Sequence, residues 1–197
     1  MSTARPRILG LGGSMRPGST SQTLLRRALA VLDEDGHRTS LLDLRELQLP
    51  FCNGDKSEPW PHFPDVRMLR EEFRAADGII LAGPEYHGTI GGALKNALDL
   101  LDFEHTEGRV FGAIVALGGR SNSNALNHLR LVARWYRAWM VPEQVAVPGA
   151  RTALLDGVPK DPELGTRVDE LARSVARAAG QLRREHVQDS QTRQVAR

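Results

Sequence analysis

Short apolar runs alternate along this chain with longer stretches in which apolar residues recur at helical spacing. The runs predict β-strands, and the recurrence predicts amphipathic helices. Five strands are predicted, at residues 7–11, 39–44, 79–82, 110–117 and 145–147. A helix is predicted after each strand, and these helices begin near Ser21, Val66, Ala93, Leu126 and Pro162. The fourth helix is expected to extend through Tyr136 to Met140.

Regular alternation of strands and helices predicts an α/β fold, with a parallel sheet covered by helices on both faces. Five units without a sixth strand favour a flavodoxin-like, doubly wound, five-stranded sheet of order 2-1-3-4-5. Ligands of such sheets bind at the carboxyl ends of the strands, near the switch point between strands one and three. Three segments are therefore expected to form a site: loop 1 (residues 10–21), loop 2 (83–92) and loop 3 (118–123).

The length of 197 residues predicts one domain, placed at residues 1–185, followed by a polar tail at 186–197. Hydrophobic residues make up 41% and charged residues 25%, which excludes disordered and fibrous chains. No apolar run approaches the roughly 18 residues that span a bilayer, so no membrane association is expected. The N-terminus lacks a signal-peptide core, which favours a cytoplasmic location.

Charge and cysteine content exclude further classes. Lys+Arg number 26 and Asp+Glu 24, and residues 1–159 carry 18 of each sign, so no nucleic-acid partner is expected. The single cysteine, Cys52, cannot form an intrachain disulfide. Neither Cys52 nor His62 has further ligands at metal-binding spacing, so no metal is predicted. Ten of the 19 glycines lie in the three loops, where backbone freedom or close approach is needed.

Loop 1 carries hydroxyl side chains and Arg16 between a strand and a helix. It is neither a Walker loop, because no Gly-Lys-Ser/Thr follows, nor a dinucleotide fingerprint, because Met15 occupies the third glycine position. Helix N-terminal amides, hydroxyls and an arginine favour an anion, and a terminal monophosphate suits them better than a pyrophosphate. The alternative is a flexible turn with ordinary serine capping.

Loop 2 contains Pro84-Glu85-Tyr86 and leads into Leu94-Lys95-Asn96. With the loop 1 pattern Gly13-Ser14-x-Arg16-x-x-Ser19, these motifs make the chain resemble the NADPH-dependent FMN reductase family, which is flavodoxin-like, over about residues 7–148. The resemblance implies bound FMN. The residues implied to bind the phosphate are Ser14, Arg16, Ser19, Thr20 and Ser21. Those implied to lie beside the flavin ring are Pro84, Glu85, Tyr86, His87 and Gly88, with Gly118, Gly119, Arg120 and Ser121 on its other side.

Several side chains have more than one interpretation. Glu85 either contacts the cofactor or braces a loop or helix terminus, and Tyr86 forms either a wall of the site or packed structure. His87 replaces the family's usual asparagine and is expected to make a polar contact, not to act as an acid or base. Lys95 and Asp99 are spaced to pair along a helix, or they pair across a subunit boundary. The other aromatic residues of interest are predicted on one late helix, in the core or a subunit interface: Trp135, Tyr136 and Trp139.

The leading hypothesis is an NAD(P)H-dependent FMN oxidoreductase. Hydride would pass from NADPH, or less favourably NADH, to FMN and on to a small-molecule acceptor: free flavin, a quinone, an azo compound or a metal oxyanion. No catalytic side chain is predicted, because the cofactor carries the chemistry. Arg120 is a candidate for contacting the nicotinamide nucleotide's phosphate. A monooxygenase partner and a homodimer or homotetramer are expected. The alternatives are a flavodoxin-like electron carrier without NAD(P)H activity and a redox-sensing or scaffold protein without flavin.

Overall fold

The computed structural model describes residues 5–54, 63–120 and 124–195. Within these ranges the strands are β1 (Arg7–Gly12), β2 (Arg38–Asp43), β3 (Gly78–Tyr86), β4 (Thr89–Ile90), β5 (Val110–Leu117), β6 (Trp139–Met140), β7 (Val145–Val147), β8 (Leu154–Leu155) and β9 (Val158–Pro159). The α-helices are α1 (Thr20–Glu34), α2 (Pro64–Ala75), α3 (Gly92–Asp99), α4 (Phe103–Thr106), α5 (Asn124–Trp135) and α6 (Pro162–Val195). A single 3-10 turn, Leu44–Glu46, follows β2.

The central sheet is parallel in the order β2, β1, β3, β5. Its fifth position is shared by two short strands, because β6 pairs with β5 at Val110 and Phe111 while β7 pairs with it from Ile114 to Ala116. The predicted order 2-1-3-4-5 is confirmed, with the predicted fourth and fifth strands corresponding to β5 and β7. The short β4 adds an antiparallel partner to the end of β3.

Successive residues of the strands face opposite sides of the sheet, so each face has its own core. In β3, Ile79 and Leu81 pack in the cluster that includes α2, α3 and α5 residues. Ile80 and Ala82 pack in the cluster that includes α1 and α6 residues. At Gly112 of β5 an added Cβ would lie 2.6 Å from Val175 Cγ2, so α6 approaches the sheet where a side chain is missing. The predicted helices on both faces are thereby confirmed.

Strand β3 is longer than the predicted strand 79–82, and residues 83–86 of loop 2 are strand, not irregular loop. The sequence suggested a break at Gly83 and Pro84. Pro84 is tolerated because β1 ends at Gly12, which pairs with Ala82, so no β1 residue is left opposite Pro84 on that side. On the other side Pro84 remains in register with Ala116 of β5. On the side that β1 leaves, Gly91 N donates to Pro84 O at 3.2 Å, a bond that uses the carbonyl of the proline and not the N–H that it lacks.

The fourth predicted helix was extended too far, because α5 ends at Trp135 and Met140 lies in β6. Arg137 has a φ of 55°, in the left-handed region, and Ala138 N donates to Ala133 O at 2.9 Å. This arrangement resembles a Schellman C-cap, in which glycine is the usual left-handed residue. With arginine there, the sequence carried no stop signal. Trp139 is therefore in β6 and not on a helix with Trp135.

Residues beyond β7 add a hairpin that the sequence analysis did not predict. Strands β8 and β9 are joined by Asp156 and Gly157, whose φ angles are 49° and 82°. Asp-Gly is a typical hairpin-turn sequence. Here only two residues pair on each side of it, which is too few to show the alternation of apolar and polar residues that predicts a strand. Helix α6 continues without a break across the boundary predicted at residue 185/186, so the polar tail remains a prediction. Among the described residues, no helix has the length and apolarity needed to cross a membrane.

Candidate functional site

Loops 1 and 2 lie side by side at the carboxyl ends of β1 and β3. Gly13 N donates a hydrogen bond to Ala82 O at 2.6 Å. An added Cβ at Gly13 would lie 2.7 Å from Leu94 Cβ, and one at Gly83 would lie 3.2 Å from Leu94 Cδ2. Glycine at these two positions lets both loops pack against α3.

Loop 3 is connected to loop 1 through the segment after β7. Gly149 N donates to Gly119 O and Ala150 N to Leu117 O, each at 2.9 Å. The hydroxyl of Thr20 then donates to Ala150 O at 2.6 Å, and Thr20 is only 5% exposed. This chain of hydrogen bonds fixes the start of α1 relative to the end of β5.

Loop 2 is connected to α5, the helix that follows loop 3. Glu85 Oε2 accepts a hydrogen bond from Ala125 N at 3.0 Å, in the first turn of α5. Thr89 Oγ1 lies 2.7 Å from His128 Nδ1 on the same helix. Of the two interpretations of Glu85, the structure shows the brace of a helix terminus, where a carboxylate complements the positive end of the helix dipole.

The tip of loop 2 is a tight hairpin between β3 and β4. His87 and Gly88 occupy its two central positions, with φ angles of 51° and 77°, and Tyr86 pairs with Thr89 across it. Positive φ at both positions is the requirement of a type I′ turn, for which Asn-Gly is the preferred sequence. The Tyr86 side chain is 55% exposed, so it is not packed in the core of the chain.

The predicted phosphate-binding residues of loop 1 surround the start of α1. Arg16 is exposed, whereas the four hydroxyl residues Ser14, Ser19, Thr20 and Ser21 are buried. Ser19 is the N-cap of α1, and its Oγ accepts from Gln22 N at 3.3 Å. Serine capping is therefore present, and the first-turn N–H groups of the helix still have no acceptor within the helix itself.

Gln22 is a further residue of this region that the sequence analysis missed. Its side-chain amide is buried, and neither Oε1 nor Nε2 has a hydrogen-bond partner within the described chain. The amide occupies the space beside Gly12, where an added Cβ would lie 1.8 Å from Oε1. A buried amide without partners is costly unless a bound group or water satisfies it. Its position three residues after the N-cap Ser19, on the buried face of α1, was the available signal.

Loop 3 is open where the family resemblance places the flavin ring. Gly118, Gly119 and Arg120 are exposed, and Ser121 lies outside the described residues. A Cβ added at Gly118 or Gly119 would meet no atom of the described residues within 4 Å. Packing among the described residues therefore does not demand glycine at either position, and they leave space beside both glycines for a planar group.

An acidic group beside loop 1 is neutralised. Asp43 ends β2 in register with Gly12, is buried, and forms an ion pair with Arg45 at 2.7 Å. Burial opposes ionisation of this carboxyl, but the hydrogen bonds from Arg45 outweigh burial and hold the pKa of Asp43 below its ordinary value. Its charge is thus compensated at the edge where loop 1 is expected to hold an anion.

Two predicted details lie near the site. Lys95 Nζ and Asp99 Oδ1 form the expected i,i+4 pair at 2.6 Å on α3. Cys52 Sγ donates to Asp99 O at 3.3 Å. No group of three or more metal-ligating side chains occurs in the part of the chain that is described, and His62 lies outside it.

The family model for NADPH-dependent FMN reductase matches residues 6–152 of this chain. The chain belongs to this family. The match covers all three loops and ends before the β8–β9 hairpin and α6. It confirms the predicted family.

Curated relatives agree with this assignment. The NADPH-dependent FMN reductase ArsH of Rhizobium meliloti (strain 1021) is 33% identical over 154 residues, which cover 76% of this chain and 61% of that protein. The NADPH azoreductase of Bacillus sp. (strain OY1-2) is also 33% identical over 154 residues, covering 77% and 80%. The chain thus spans about three fifths of that ArsH relative's length and four fifths of that azoreductase's.

Solved structures confirm the fold. The apo form of an NADH:FMN oxidoreductase (EMOB) superposes with a TM-score of 0.68 at 24% identity, over 86% of this chain and 89% of that one. The flavoenzyme FerB, an NAD(P)H:(acceptor) oxidoreductase from Paracoccus denitrificans, gives a TM-score of 0.69 at 21% identity, over 88% and 98%. Both support the flavodoxin-like architecture.

Proposed function

We propose that this chain is an NADPH-dependent FMN oxidoreductase whose flavin site lies between loops 1, 2 and 3. The observation that carries the proposal is the set of hydrogen bonds that draws the loops together: Gly13 to Ala82, Thr20 to Ala150 and Ala125 to Glu85. These contacts bring together segments that follow three different strands at the switch point of the sheet, where such folds bind their ligands.

The residues of loop 1 fit the phosphate of FMN. Arg16 supplies an exposed charge that can form a bidentate contact, and Ser14 and Ser21 supply hydroxyls beside the start of α1. The hydroxyl of Ser19 already accepts from Gln22 N at the start of α1, and that of Thr20 already donates to Ala150 O. These two residues therefore position loop 1. The unpartnered amide of Gln22 beneath Gly12 is a further polar group that a ligand or its water can satisfy.

Loops 2 and 3 fit the ring of FMN. The open faces of Gly118 and Gly119 allow a planar group to approach the backbone, and Tyr86 presents an exposed aromatic side chain from the hairpin. Pro84, His87 and Gly88 complete the loop 2 contribution, and Arg120 and Ser121 that of loop 3. When bound, FMN would accept two electrons from NADPH and pass them to a second acceptor, so the chain's own groups bind, orient and tune.

The second acceptor is proposed to be a small molecule, and an azo compound is the first to test. This choice is supported by a relative named NADPH azoreductase, because the match with this chain covers 80% of that protein's length. A quinone, free flavin and a metal oxyanion are the other acceptors, and a monooxygenase partner would follow only from release of reduced flavin. A cytoplasmic location is part of the same proposal.

The chain is proposed to work as a homodimer or homotetramer. Leu131 and Trp135, one turn apart on α5, are 64% and 71% exposed, and Trp139 of β6 is 61% exposed. Large apolar side chains grouped in this way are typical of an interface between subunits. Tyr136, by contrast, is 8% exposed and belongs to the core.

One experiment separates the proposed enzyme from its alternatives. The purified chain is titrated with FMN by fluorescence quenching, and NADPH oxidation is followed at saturating FMN with and without an azo dye. Binding with acceptor-dependent oxidation supports the proposal, binding without NADPH oxidation indicates an electron carrier, and absence of flavin binding overturns the site. The variants Arg16→Ala and Ser14→Ala should weaken FMN binding, and unchanged affinity in both would remove loop 1 as the phosphate site.

A further inference from the structure

The edge of the sheet where the strands begin carries a cavity lined by six arginines. It has a volume of about 620 Å³, and Asp77 is the acidic residue among its described lining. The arginines are Arg5, Arg7, Arg38, Arg74, Arg109 and Arg183. None of them belongs to loops 1 to 3, which lie at the other ends of the strands.

Strand register places these charges together. Arg7 begins β1 and pairs in register with Arg38, the first residue of β2. Asp77 directly precedes β3, and Arg109 directly precedes β5. Because the strands are parallel and nearly flush at this edge, side chains that precede separate apolar runs in the sequence converge around one cavity.

Only half of the positive charge is compensated by ion pairs. Arg7 pairs with Glu72 at 2.6 Å, Arg74 with Glu104 at 3.0 Å, and Arg183 with Asp77 at 3.1 Å; these are the paired arginines of the cavity. No carboxylate of the described residues lies within ion-pair distance of the others, Arg5, Arg38 and Arg109. Like charges gathered in this way repel one another unless an anion joins them.

Arg109 also has a buried nitrogen that lacks a hydrogen-bond partner among the described residues. Its Nη2 donates to Arg74 O at 2.7 Å, but its Nε is buried and has no hydrogen-bond partner in the described chain. Burial lowers the pKa of the Arg109 guanidinium, and the nearby carboxylate of Asp77, which acts in the opposite direction, does not outweigh burial. A partly buried guanidinium with an unused donor is stabilised by an acceptor that carries negative charge.

We propose that this cavity binds a small anion with two or more phosphoryl groups, at a site separate from the flavin site. Guanidinium groups pair bidentately with phosphoryl oxygens, and three arginines that form no ion pair with the described residues match a multiply charged anion better than a monoanion. The volume is within the range of small-ligand pockets and leaves room for more than the phosphoryl groups themselves. The proposal does not depend on the proposed flavin chemistry.

The test uses the full chain and inorganic pyrophosphate as the probe. Isothermal titration calorimetry is carried out with FMN already present, so that loop 1 does not compete for the probe, and is repeated with ADP, phosphate and sulfate. Pyrophosphate and ADP should bind, and sulfate should bind at least about tenfold more weakly. The variants Arg38→Ala and Arg109→Gln should each weaken pyrophosphate binding about tenfold, the loss expected for one charge-assisted contact.

A control variant locates the binding. Arg67 is exposed on α2, two turns before Arg74, and Arg67→Ala should bind pyrophosphate as the unsubstituted chain does. A loss in Arg67→Ala equal to that in Arg38→Ala would show a general effect of surface charge and would overturn the proposal. Arg38 is exposed, so Arg38→Ala keeps the test valid if Arg109→Gln unfolds. Failure of pyrophosphate to bind, affinity unaffected by Arg38→Ala, or equal binding of sulfate would each overturn it.

Discussion

Glu85 at the end of β3 accepts a hydrogen bond from the backbone N–H of Ala125 in the first turn of α5, at 3.0 Å. Through this contact, one carboxylate of loop 2 both satisfies an N-terminal donor of a helix and holds that helix beside loop 3. The contact explains why an acidic residue lies next to a site that is proposed to bind an anionic cofactor. Its charge is directed at the helix terminus.

Replacing Glu85 with alanine should lower the free energy of unfolding by about 1 to 2 kcal/mol, because α5 loses a charged N-terminal acceptor. FMN affinity should fall with it, since loop 2 loses its bond to the first turn of α5, the helix that follows loop 3, and keeps the contact of Thr89 with His128. Urea unfolding and FMN titration measure the two effects. Glu85→Gln is the matched control, because the amide oxygen can still accept the hydrogen bond. Equal losses in both variants would show that charge, and not the hydrogen bond, is what matters.

The sequence predicted the order of the sheet and the three loops because both depend on local patterns. Apolar runs such as residues 110–117 mark buried parallel strands, and their order followed from the family of folds that five such units favour. What could not be predicted depends on contacts between distant residues. Pro84 is part of β3 only because β1 ends opposite Ala82, and Thr20 meets Ala150 only once the whole sheet is formed.

The end of α5 and the partners of Glu85 illustrate the same limit. A left-handed C-cap is expected from glycine, and Arg137 gives no such signal although its φ is 55°. The two interpretations of Glu85 have the same sequence signature, since a cofactor contact and a helix brace both require a carboxylate after a strand. Only the position of Ala125 in the folded chain reveals the helix brace. The arginines at the strand starts were likewise visible singly, but their convergence was not.

Thr20 connects loop 1 to Ala150, and the bond can be tested by removing the hydroxyl alone. Thr20→Val should lower the free energy of unfolding by about 1 to 3 kcal/mol, because Ala150 O is left without its donor in a buried place. Thr20→Ser keeps the hydroxyl and should lose little. Thermal unfolding of both variants provides the comparison. If valine and serine are equally stable, the hydrogen bond does not hold loop 1.

His87 occupies a position that favours asparagine, since its φ is 51° in a two-residue turn. His87→Asn should raise the free energy of unfolding by about 0.5 to 1 kcal/mol, and His87→Val should lower it by about 1 to 2 kcal/mol, because a β-branched residue is strained there. Chemical denaturation measures both. The redox potential of bound FMN is also compared between the unsubstituted chain and His87→Asn. An unchanged potential would mean that the backbone of this turn, and not the imidazole, faces the flavin.

Gly119 offers a direct test of the flavin site, because none of the described residues packs where its Cβ would lie. Its surroundings leave room for a Cβ, and its φ lies outside the left-handed region, so Gly119→Ala should leave the free energy of unfolding unchanged. A ring lying against the backbone would meet the new methyl group, and FMN affinity should fall about tenfold, the cost of a modest steric overlap. Unfolding curves and FMN titration are measured on the same preparation.

Gly112→Ala is the opposite control, because its Cβ would meet Val175 and the free energy of unfolding should fall. Unchanged FMN affinity in Gly119→Ala would exclude loop 3 from the ring site.

His105 should make stability depend on pH between neutrality and mild acid. Its side chain is 1% exposed, and Nδ1 accepts from Asp102 N at 2.9 Å, so the neutral ring is the form that caps α4. Burial lowers the pKa of His105 below its ordinary value of 6.5, although the nearby Glu104 acts in the opposite direction. The unfolded chain therefore takes up the proton first as the pH falls. The contribution of His105 is complete above about pH 6.5 and is lost as the pH decreases through the lower pKa of the folded state, with a slope of at most about 1.4 kcal/mol per pH unit.

The measurement is urea unfolding at pH 7.5, 6.5 and 5.5 for the unsubstituted chain and for His105→Gln. These pH values lie above the range in which carboxylates titrate, so Asp43 and Glu143, whose pKa values are lowered, do not contribute to the difference. Glutamine can accept from Asp102 N but cannot take up a proton. The variant should therefore lose less stability than the unsubstituted chain between pH 7.5 and pH 5.5. Parallel pH profiles would assign the dependence to another histidine and would show that the buried ring of His105 is not protonated on unfolding in this range.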